Sequence, residues 1–230
     1  MSPRVVRVSH LWLCLVLGAF VAGCASGPPP TLTELGWTAL ETGDWRAAKQ
    51  HFGEALRVDS RNASAWHGQA EAQLSGRDPE AALRSLGSLS KVDSARFQGE
   101  ARPTYANALE AATKQRLEHA QPEAALAAVR ALAKLDPDRR GLSRLLGAAL
   151  LAEADHKRLR GHPKAALGLY KEACRVAPAE LEAWVGAVEI LLERKKGREA
   201  MRLLEAARKS HPTAGIIRTL ARQAMKYRKR

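Results

Sequence analysis

Apolar residues recur at three- and four-residue spacing from Leu32 onward, and the breaks between them fall at Gly, Pro and Asp-Ser or Asp-Pro pairs. This spacing places apolar side chains on one face of an α-helix, whereas a half-buried strand would need an alternating pattern, which this region lacks. The breaks divide the region into many short helices. The pattern therefore predicts an all-α protein.

The stretch before Leu32 has a different pattern. Arg4 and Arg7 precede an apolar run over 11–22 of about twelve residues, and small residues follow it. Such a run is too short to span a bilayer, and its order is typical of a secretory signal. The three consecutive prolines just beyond it favour a stiff, extended spacer over 24–31.

The run Val21-Ala22-Gly23-Cys24 resembles the lipobox of bacterial lipoproteins. The resemblance implies that residues 1–23 are removed as a signal peptide and that the Cys24 thiol carries the lipid anchor. Because Ala25, not Asp, follows the cysteine, the sorting rule of enteric lipoproteins implies the outer membrane. An ordinary secretory signal with an accidental cysteine is the alternative.

A pattern of four positions recurs five times along the helical region. It consists of a small residue, a larger apolar or aromatic residue four positions later, Ala or Leu three positions after that, and finally Ser or Pro. The first residues of the five copies are Ala48, Ala82, Ala125, Ala166 and Ala200, with spacings of 34, 43, 41 and 34. The second are Phe52, Leu86, Val129, Tyr170 and Leu204.

This register resembles the tetratricopeptide repeat, a pair of helices, A and B, of about 34 residues. The resemblance implies a helix-turn-helix solenoid, because one helix pair cannot bury its apolar stripe without a neighbour. We predict five repeats within 32–212, followed by a capping helix with a basic tail over 213–230. The repeats lie at about 29–62, 63–96, 106–139, 147–180 and 181–214. The two longer spacings predict extra turns around 95–105 and 139–147.

The family resemblance also assigns helix A to the groove of the solenoid and helix B to its back. The positions that resemble groove contacts are mostly acidic, and they are Glu34, Trp37, Glu41, His67, Glu71, Glu110, Lys114, Glu118, Asp155, Arg158, Glu182, Glu189 and Glu193. This composition favours a basic or amphipathic peptide, with Trp37 as an aromatic anchor. The alternative is a solvated face, with Trp37 packed against the linker or the next repeat.

The chain as a whole is strongly basic. Its formal charge is +13, and +11 remains without residues 1–23, which hold two arginines and no acidic residue. The five helix B segments hold fourteen basic and six acidic residues. For a protein located in the cell envelope, this charge favours an anionic surface or an acidic protein as the partner over nucleic acid. A basic stripe of Arg218, Arg222, Lys226 and Arg230 fits a phosphate-bearing surface, and a solvated face is the alternative.

Signatures of catalysis are missing from the sequence. It contains no HExxH, no GxSxG and no glycine-rich phosphate loop. The histidines are scattered, and Cys174 would be the only thiol besides the anchor, which fits a buried core residue better than a disulfide between chains. We therefore expect neither an enzyme nor a cofactor or metal site.

The order of lipobox, short linker and repeats is similar to that of the lipoprotein pilotins, which help type IV pilus secretins reach and assemble in the outer membrane. The resemblance implies a lipid-anchored scaffold or assembly factor at the periplasmic face of the outer membrane, bound to a secretin or another envelope complex. Alternatives are an adaptor for peptidoglycan enzymes or for outer-membrane or motility machinery, and a structural lipoprotein that binds peptidoglycan.

Overall fold

A computed structural model describes residues 29–227. The predicted signal peptide, Cys24 and Arg230 lie outside the described residues. Within 29–227 the chain forms twelve α-helices and no strand. Their bounds are α1 Leu32–Glu41, α2 Trp45–Val58, α3 Ala63–Ser75, α4 Pro79–Val92, α5 Ser94–Gln98, α6 Arg102–Glu118, α7 Pro122–Leu135, α8 Leu142–Leu159, α9 Pro163–Val176, α10 Leu181–Glu193, α11 Gly197–Ser210 and α12 Gly215–Lys226.

Ten of these helices form five sequential pairs. In each pair the first helix (α1, α3, α6, α8 or α10, hereafter helix A) packs against the second (α2, α4, α7, α9 or α11, hereafter helix B). Each helix A also packs against the helix A of the next pair, and α12 closes the array on α10 and α11. The predicted all-α helix-turn-helix solenoid is confirmed.

Local sequence explains where the helices begin. The carboxylates of Asp44 and Asp78 and the amide oxygen of Asn62 accept hydrogen bonds from the first-turn N–H groups of α2, α4 and α3. Such caps satisfy donors that have no partner within the helix. Helices α4, α7 and α9 begin with a proline, whose fixed φ suits the first turn.

The recurrent positions of the sequence pattern form the core. The first three positions of all five copies are buried, from Ala48, Phe52 and Ala55 in α2 to Ala200, Leu204 and Ala207 in α11. Each helix B thus contributes a small residue, a larger apolar residue and an alanine or leucine to the core. This burial explains why the pattern keeps its register along the chain.

The two long spacings between repeats appear as longer first helices. Helices α6 and α8 have 17 and 18 residues, against 10 in α1 and 13 in α3 and α10. The short helix α5 lies before α6, and Pro103 falls in the first turn of α6. The third and fourth pairs therefore present a longer helix A side than the others.

Cys174 lies in the main core, only 4% exposed, and burial raises the pKa of its thiol to about 12. The thiol therefore stays protonated at neutral pH, and it is inaccessible to a second chain in the folded state. No helix in the described part of the chain is long and apolar enough to cross a membrane.

Candidate protein-binding surface

The side of the solenoid formed by α1, α3, α6, α8 and α10 is called here the helix A surface. It carries all the residues predicted from sequence as groove contacts. Polar contacts link each of the first four helices A to the next element along this surface, so that most of the predicted residues already have partners within the protein.

Trp37 lies between the first two pairs. Its indole N–H donates to Ser64 Oγ at 3.1 Å, and its ring makes edge contacts with Phe52 and His67 at centroid distances of 5.3 and 5.6 Å. The residue is half-buried. Packing between repeats, the alternative stated for this residue, therefore describes Trp37 better than a freely exposed anchor. Glu34 forms a capping box with Thr31, whose backbone N–H is the main cause that lowers the pKa of Glu34.

His67 and Glu71 join α3 to α6. His67 Nε2 lies 3.0 Å from Thr104 Oγ1 and 3.2 Å from Glu71 Oε1, and Thr104 also donates to Glu71 at 3.2 Å. The hydrogen bond from His67 lowers the pKa of Glu71. His67 is 7% exposed, so it serves the junction between repeats, whereas the side chain of Glu71 is 38% exposed.

Glu110 joins α6 to the turn before α8. Its carboxylate accepts from Lys114 Nζ and from Arg139 Nε, both at 2.6 Å, and Arg139 also donates to Asn107 Oδ1 at 2.6 Å. Burial opposes ionisation of Glu110, but the hydrogen bonds from Lys114 and Arg139 outweigh it and lower the pKa of the carboxyl.

A third cluster joins α8 to α9 and α10. Arg158 donates to Glu189 and to Glu193, each at 2.7 Å. The hydrogen bond to Glu189 is the main cause that raises the pKa of Arg158 above its ordinary value. The buried hydroxyl of Tyr170 donates to Asp155, and burial, followed by this bond, raises the pKa of Tyr170.

These contacts pair part of the negative charge that the sequence places on the helix A surface. Glu110, Glu189 and Glu193 each have an arginine or lysine within hydrogen-bond distance, and Glu71 and Asp155 accept from neighbouring side chains. Of the counter-cations, Lys114 and Arg158 belong to the predicted set, and Arg139 comes from the turn before α8. Of the predicted acidic contacts, Glu41, Glu118 and Glu182 are exposed and have no cation within 4 Å in the described part of the chain.

A pocket of about 370 Å³ opens between α6, the 136–141 turn and α8. Apolar side chains of Leu132, Leu142, Leu145 and Ala148 line one part of it, and the charged side chains are Glu110, Lys114, Arg139, Arg140, Arg144 and Glu180. Arg140 and Arg144 are exposed, and neither has a carboxylate within 4 Å among residues 29–227. An apolar wall with unpaired cations at its edge can hold an apolar side chain next to an acidic group of a ligand.

Sequence reasoning identified Glu110 and Lys114 of this pocket but missed its arginines. The sequence feature that could have revealed them is the spacing of 41 residues between the third and fourth copies of the pattern, which predicts extra turns at 139–147. That insertion carries Arg139, Arg140 and Arg144. An insertion in one repeat maps to a particular part of the solenoid surface, and here it borders the pocket.

Two family models, both described as tetratricopeptide repeat, match residues 33–94 and 157–224 and together span more than half of the chain. The chain belongs to the tetratricopeptide repeat family. No curated protein matches the chain in sequence. Tetratricopeptide repeats build scaffolds for protein–protein interaction, with extended surfaces that bind protein partners.

A solved structure shares this fold. A tetratricopeptide repeat protein of Bacteroides fragilis superposes with a TM-score of 0.58 at 14% identity, covering 85% of this chain and 96% of its own. A thermophilic repeat protein of Thermus thermophilus shares 20% identity over 85% of this chain and 97% of its own, at a TM-score of 0.35. The yeast Sti1 repeat domain in a complex with pHSP90 shares 14% identity over 84% of this chain and 97% of its own, at a TM-score of 0.36.

The back of this tetratricopeptide repeat protein is cationic. All fourteen basic residues of its five helices B are exposed. Only Arg130, paired with Glu172, and Lys171, paired with Glu199, have a carboxylate within 4 Å in the described region. Arg218, Arg222 and Lys226 of the predicted stripe are exposed on α12. No group of three or more potential metal ligands occurs within 29–227.

Proposed function

We propose that this protein is a lipid-anchored scaffold at the periplasmic face of the outer membrane, and that its helix A surface binds an envelope protein. The pocket between α6 and α8 is the observation that carries the binding part of the proposal, because it combines an apolar wall with unpaired Arg140 and Arg144. The lipobox at Val21-Ala22-Gly23-Cys24 supports the proposed location at the outer membrane.

The partner segment that suits this pocket is an extended or helical stretch with an apolar side chain next to an acidic one. A basic segment, as expected from sequence alone, suits it less, since Glu110 is already paired with Lys114 and Arg139. The resemblance to pilotins makes a type IV pilus secretin the specific partner that we propose.

The test is capture of partners from detergent-solubilised envelopes with the native protein and with the double variant Arg140→Glu, Arg144→Glu. Both side chains are exposed, so reversing their charge leaves the core intact. The matched control is Arg84→Glu, Lys91→Glu, two exposed residues of α4 on the back of the solenoid. Circular dichroism checks the fold of all three.

We expect an envelope protein that is captured by the native chain and by the control and lost with the pocket variant. If that protein is a secretin and deletion of the gene removes pili without changing cell shape, the pilotin assignment stands. Equal capture by all three forms would refute the pocket as the binding site. Labelling with radioactive palmitate, lost in Cys24→Ala, tests the anchor separately.

A further inference from the structure

Helix α12 carries cations at positions where the preceding helix A is apolar. The helix packs onto the solenoid through Ile217, Leu220 and Ala224. Its exposed residues Arg218, Arg222 and Lys226 lie 34 positions after Trp184, Val188 and Leu192 of α10, which are buried or half-buried. A terminal helix needs a polar outer side, but solvation alone does not require that every charged residue on it be positive.

Arg208 of α11 continues this surface. Arg208 and Arg218 line the same notch of about 360 Å³, between the end of α11 and the start of α12. The four residues Arg208, Arg218, Arg222 and Lys226 are called here the cationic end. Neither the notch nor α12 contains an acidic residue.

The cationic end lacks the carboxylate partners that several arginines near the helix A surface have. Arg116, Arg139 and Arg158 of the helix A surface each donate to a carboxylate. No residue of the cationic end has a carboxylate within 4 Å anywhere in the described 29–227 region. Its charge is therefore available to an external anion.

Exposed apolar side chains accompany these cations. Met225 is 56% and Ile216 is 41% exposed, and both lie on α12. They are two of the four large hydrophobic residues that are exposed in the part of the chain that the structure describes. A surface that combines Arg and Lys with protruding apolar side chains is typical of proteins that lie on a membrane interface.

Charge is also unevenly distributed along the chain. Residues 32–100 hold eight basic and ten acidic residues, whereas residues 161–227 hold thirteen basic and seven acidic ones. An excess placed only for solubility would not need this polarity. Residues 101–160 hold eleven basic and seven acidic residues, so the net positive charge increases along the chain toward the end that carries α12. This gradient would favour the approach of that end to an anionic surface.

We propose that the cationic end docks onto a layer of anionic lipid headgroups. The guanidinium groups of arginine suit phosphate oxygens, and each cation near an anionic bilayer adds to the attraction. Four cations spread over two helices, with the exposed Met225 one helical turn from Arg222, fit a fluid array of headgroups better than a single peptide with fixed charge positions. This docking goes beyond the proposed scaffold function and uses none of its pocket residues.

The experiment uses the chain from Ala25 to Arg230, which lacks the anchor cysteine and keeps every residue that is buried within the described 29–227 region. Its co-sedimentation is measured with two kinds of vesicle. One consists of phosphatidylcholine alone, and the other of equal parts of phosphatidylcholine and phosphatidylglycerol. The test variant is Arg218→Glu, Arg222→Glu, Lys226→Glu. The matched control, Arg46→Glu, Lys49→Glu, Arg57→Glu, makes the same change of charge on exposed residues of α2.

We expect binding of the parent chain and the α2 control to the anionic vesicles only, with a partition coefficient that falls roughly tenfold or more in the α12 variant. At about 1 M salt, where the Debye length is about 3 Å, binding of the parent should be largely lost. Met225→Ser should weaken binding to the anionic vesicles by a smaller factor than the α12 variant does. If the glutamate variant loses helicity, the same positions changed to glutamine provide the comparison.

Two outcomes would overturn the proposal. If the α2 and α12 variants lost vesicle binding equally, net charge alone would attract the chain to the anionic vesicles. No binding of the parent to anionic vesicles, together with binding to purified sacculi or to an acidic protein, would assign the cationic end to a different partner. Neither outcome bears on capture through Arg140 and Arg144.

Discussion

The first and fourth pairs place an aromatic residue at the same repeat position but surround it differently. Phe52 of α2 lies between α1 and α3, where a Cβ built on Gly36 or Gly68 would come within 2.6 or 2.1 Å of its ring. Tyr170 of α9 meets one such glycine, Gly186 of α10, at 2.6 Å. Its hydroxyl is held by Asp155 of α8.

The comparison shows how the solenoid accommodates a large ring. Where a helix A glycine faces the helix B position, that position holds Phe52 or Tyr170. In the other three pairs it holds the aliphatic Leu86, Val129 or Leu204. Phe52 is held by shape, because its ring fits against two glycines and the edge of Trp37. Tyr170 combines shape on one side with a polar contact on the other.

The largest expected effect is the loss of the Phe52 ring. Phe52→Ala should lower the free energy of unfolding by about 3–5 kcal/mol, because it empties a fully buried site whose glycine neighbours cannot fill it. Urea unfolding followed by circular dichroism measures the loss. Because a solenoid is stabilised by neighbouring contacts, hydrogen exchange should increase in α1–α3 and stay unchanged in α10–α12. If Phe52→Ala increased hydrogen exchange equally in all helices, the effect of this junction would not be local.

A smaller effect is expected when the glycine is changed and the ring is kept. Gly68→Ala should cost about 1–3 kcal/mol of unfolding free energy, since the added methyl group overlaps the Phe52 ring. Phe52→Leu in the same chain should recover part of that cost by removing ring atoms. The control is Gly53→Ala in α2, where a Cβ meets nothing within 4 Å.

Gly53→Ala should stabilise the chain by up to about 1 kcal/mol, because alanine favours the helix. If Gly68→Ala and Gly53→Ala changed stability in the same direction, close approach to Phe52 would not explain the glycine. The double variant Gly68→Ala, Phe52→Leu measures the coupling directly.

The smallest effect concerns the polar side of Tyr170. Tyr170→Phe keeps the ring against Gly186 and removes only the hydrogen bond to Asp155, which should cost about 0.5–1.5 kcal/mol. Thermal unfolding at neutral pH measures the change, and Asp155→Ala should have a similar effect without touching the ring. A loss as large as that of Phe52→Ala would mean that the hydroxyl, not the ring, holds this junction.

Several features of the fold followed from local sequence. The caps at Asp44 and Asp78 and the prolines of α4, α7 and α9 set helix starts, and the spacing of Ala48, Phe52 and Ala55 set the buried side of helix B. These features depend on residues within one or two helical turns, so the pattern of a single chain is sufficient to predict them.

The candidate site was predicted less completely. The register placed Glu110, Arg158, Glu189 and Glu193 on the helix A surface. It left out Arg139 of the turn before α8, and it did not show which of these charges pair across about thirty residues of sequence. An assignment by repeat position considers each helix alone, whereas ion pairing depends on the neighbouring helix and the turn before it.

The sequence by itself determined the all-α class, the register of five repeats and the identity of the buried helix B positions, because helical periodicity and caps are local properties. Only the tertiary structure decided that Gly68 faces Phe52, that Arg158 joins Glu189 and Glu193, and that the insertion at 139–147 borders a pocket. Those contacts join residues of different repeats, and their distances follow from how the repeats stack, which no single repeat encodes.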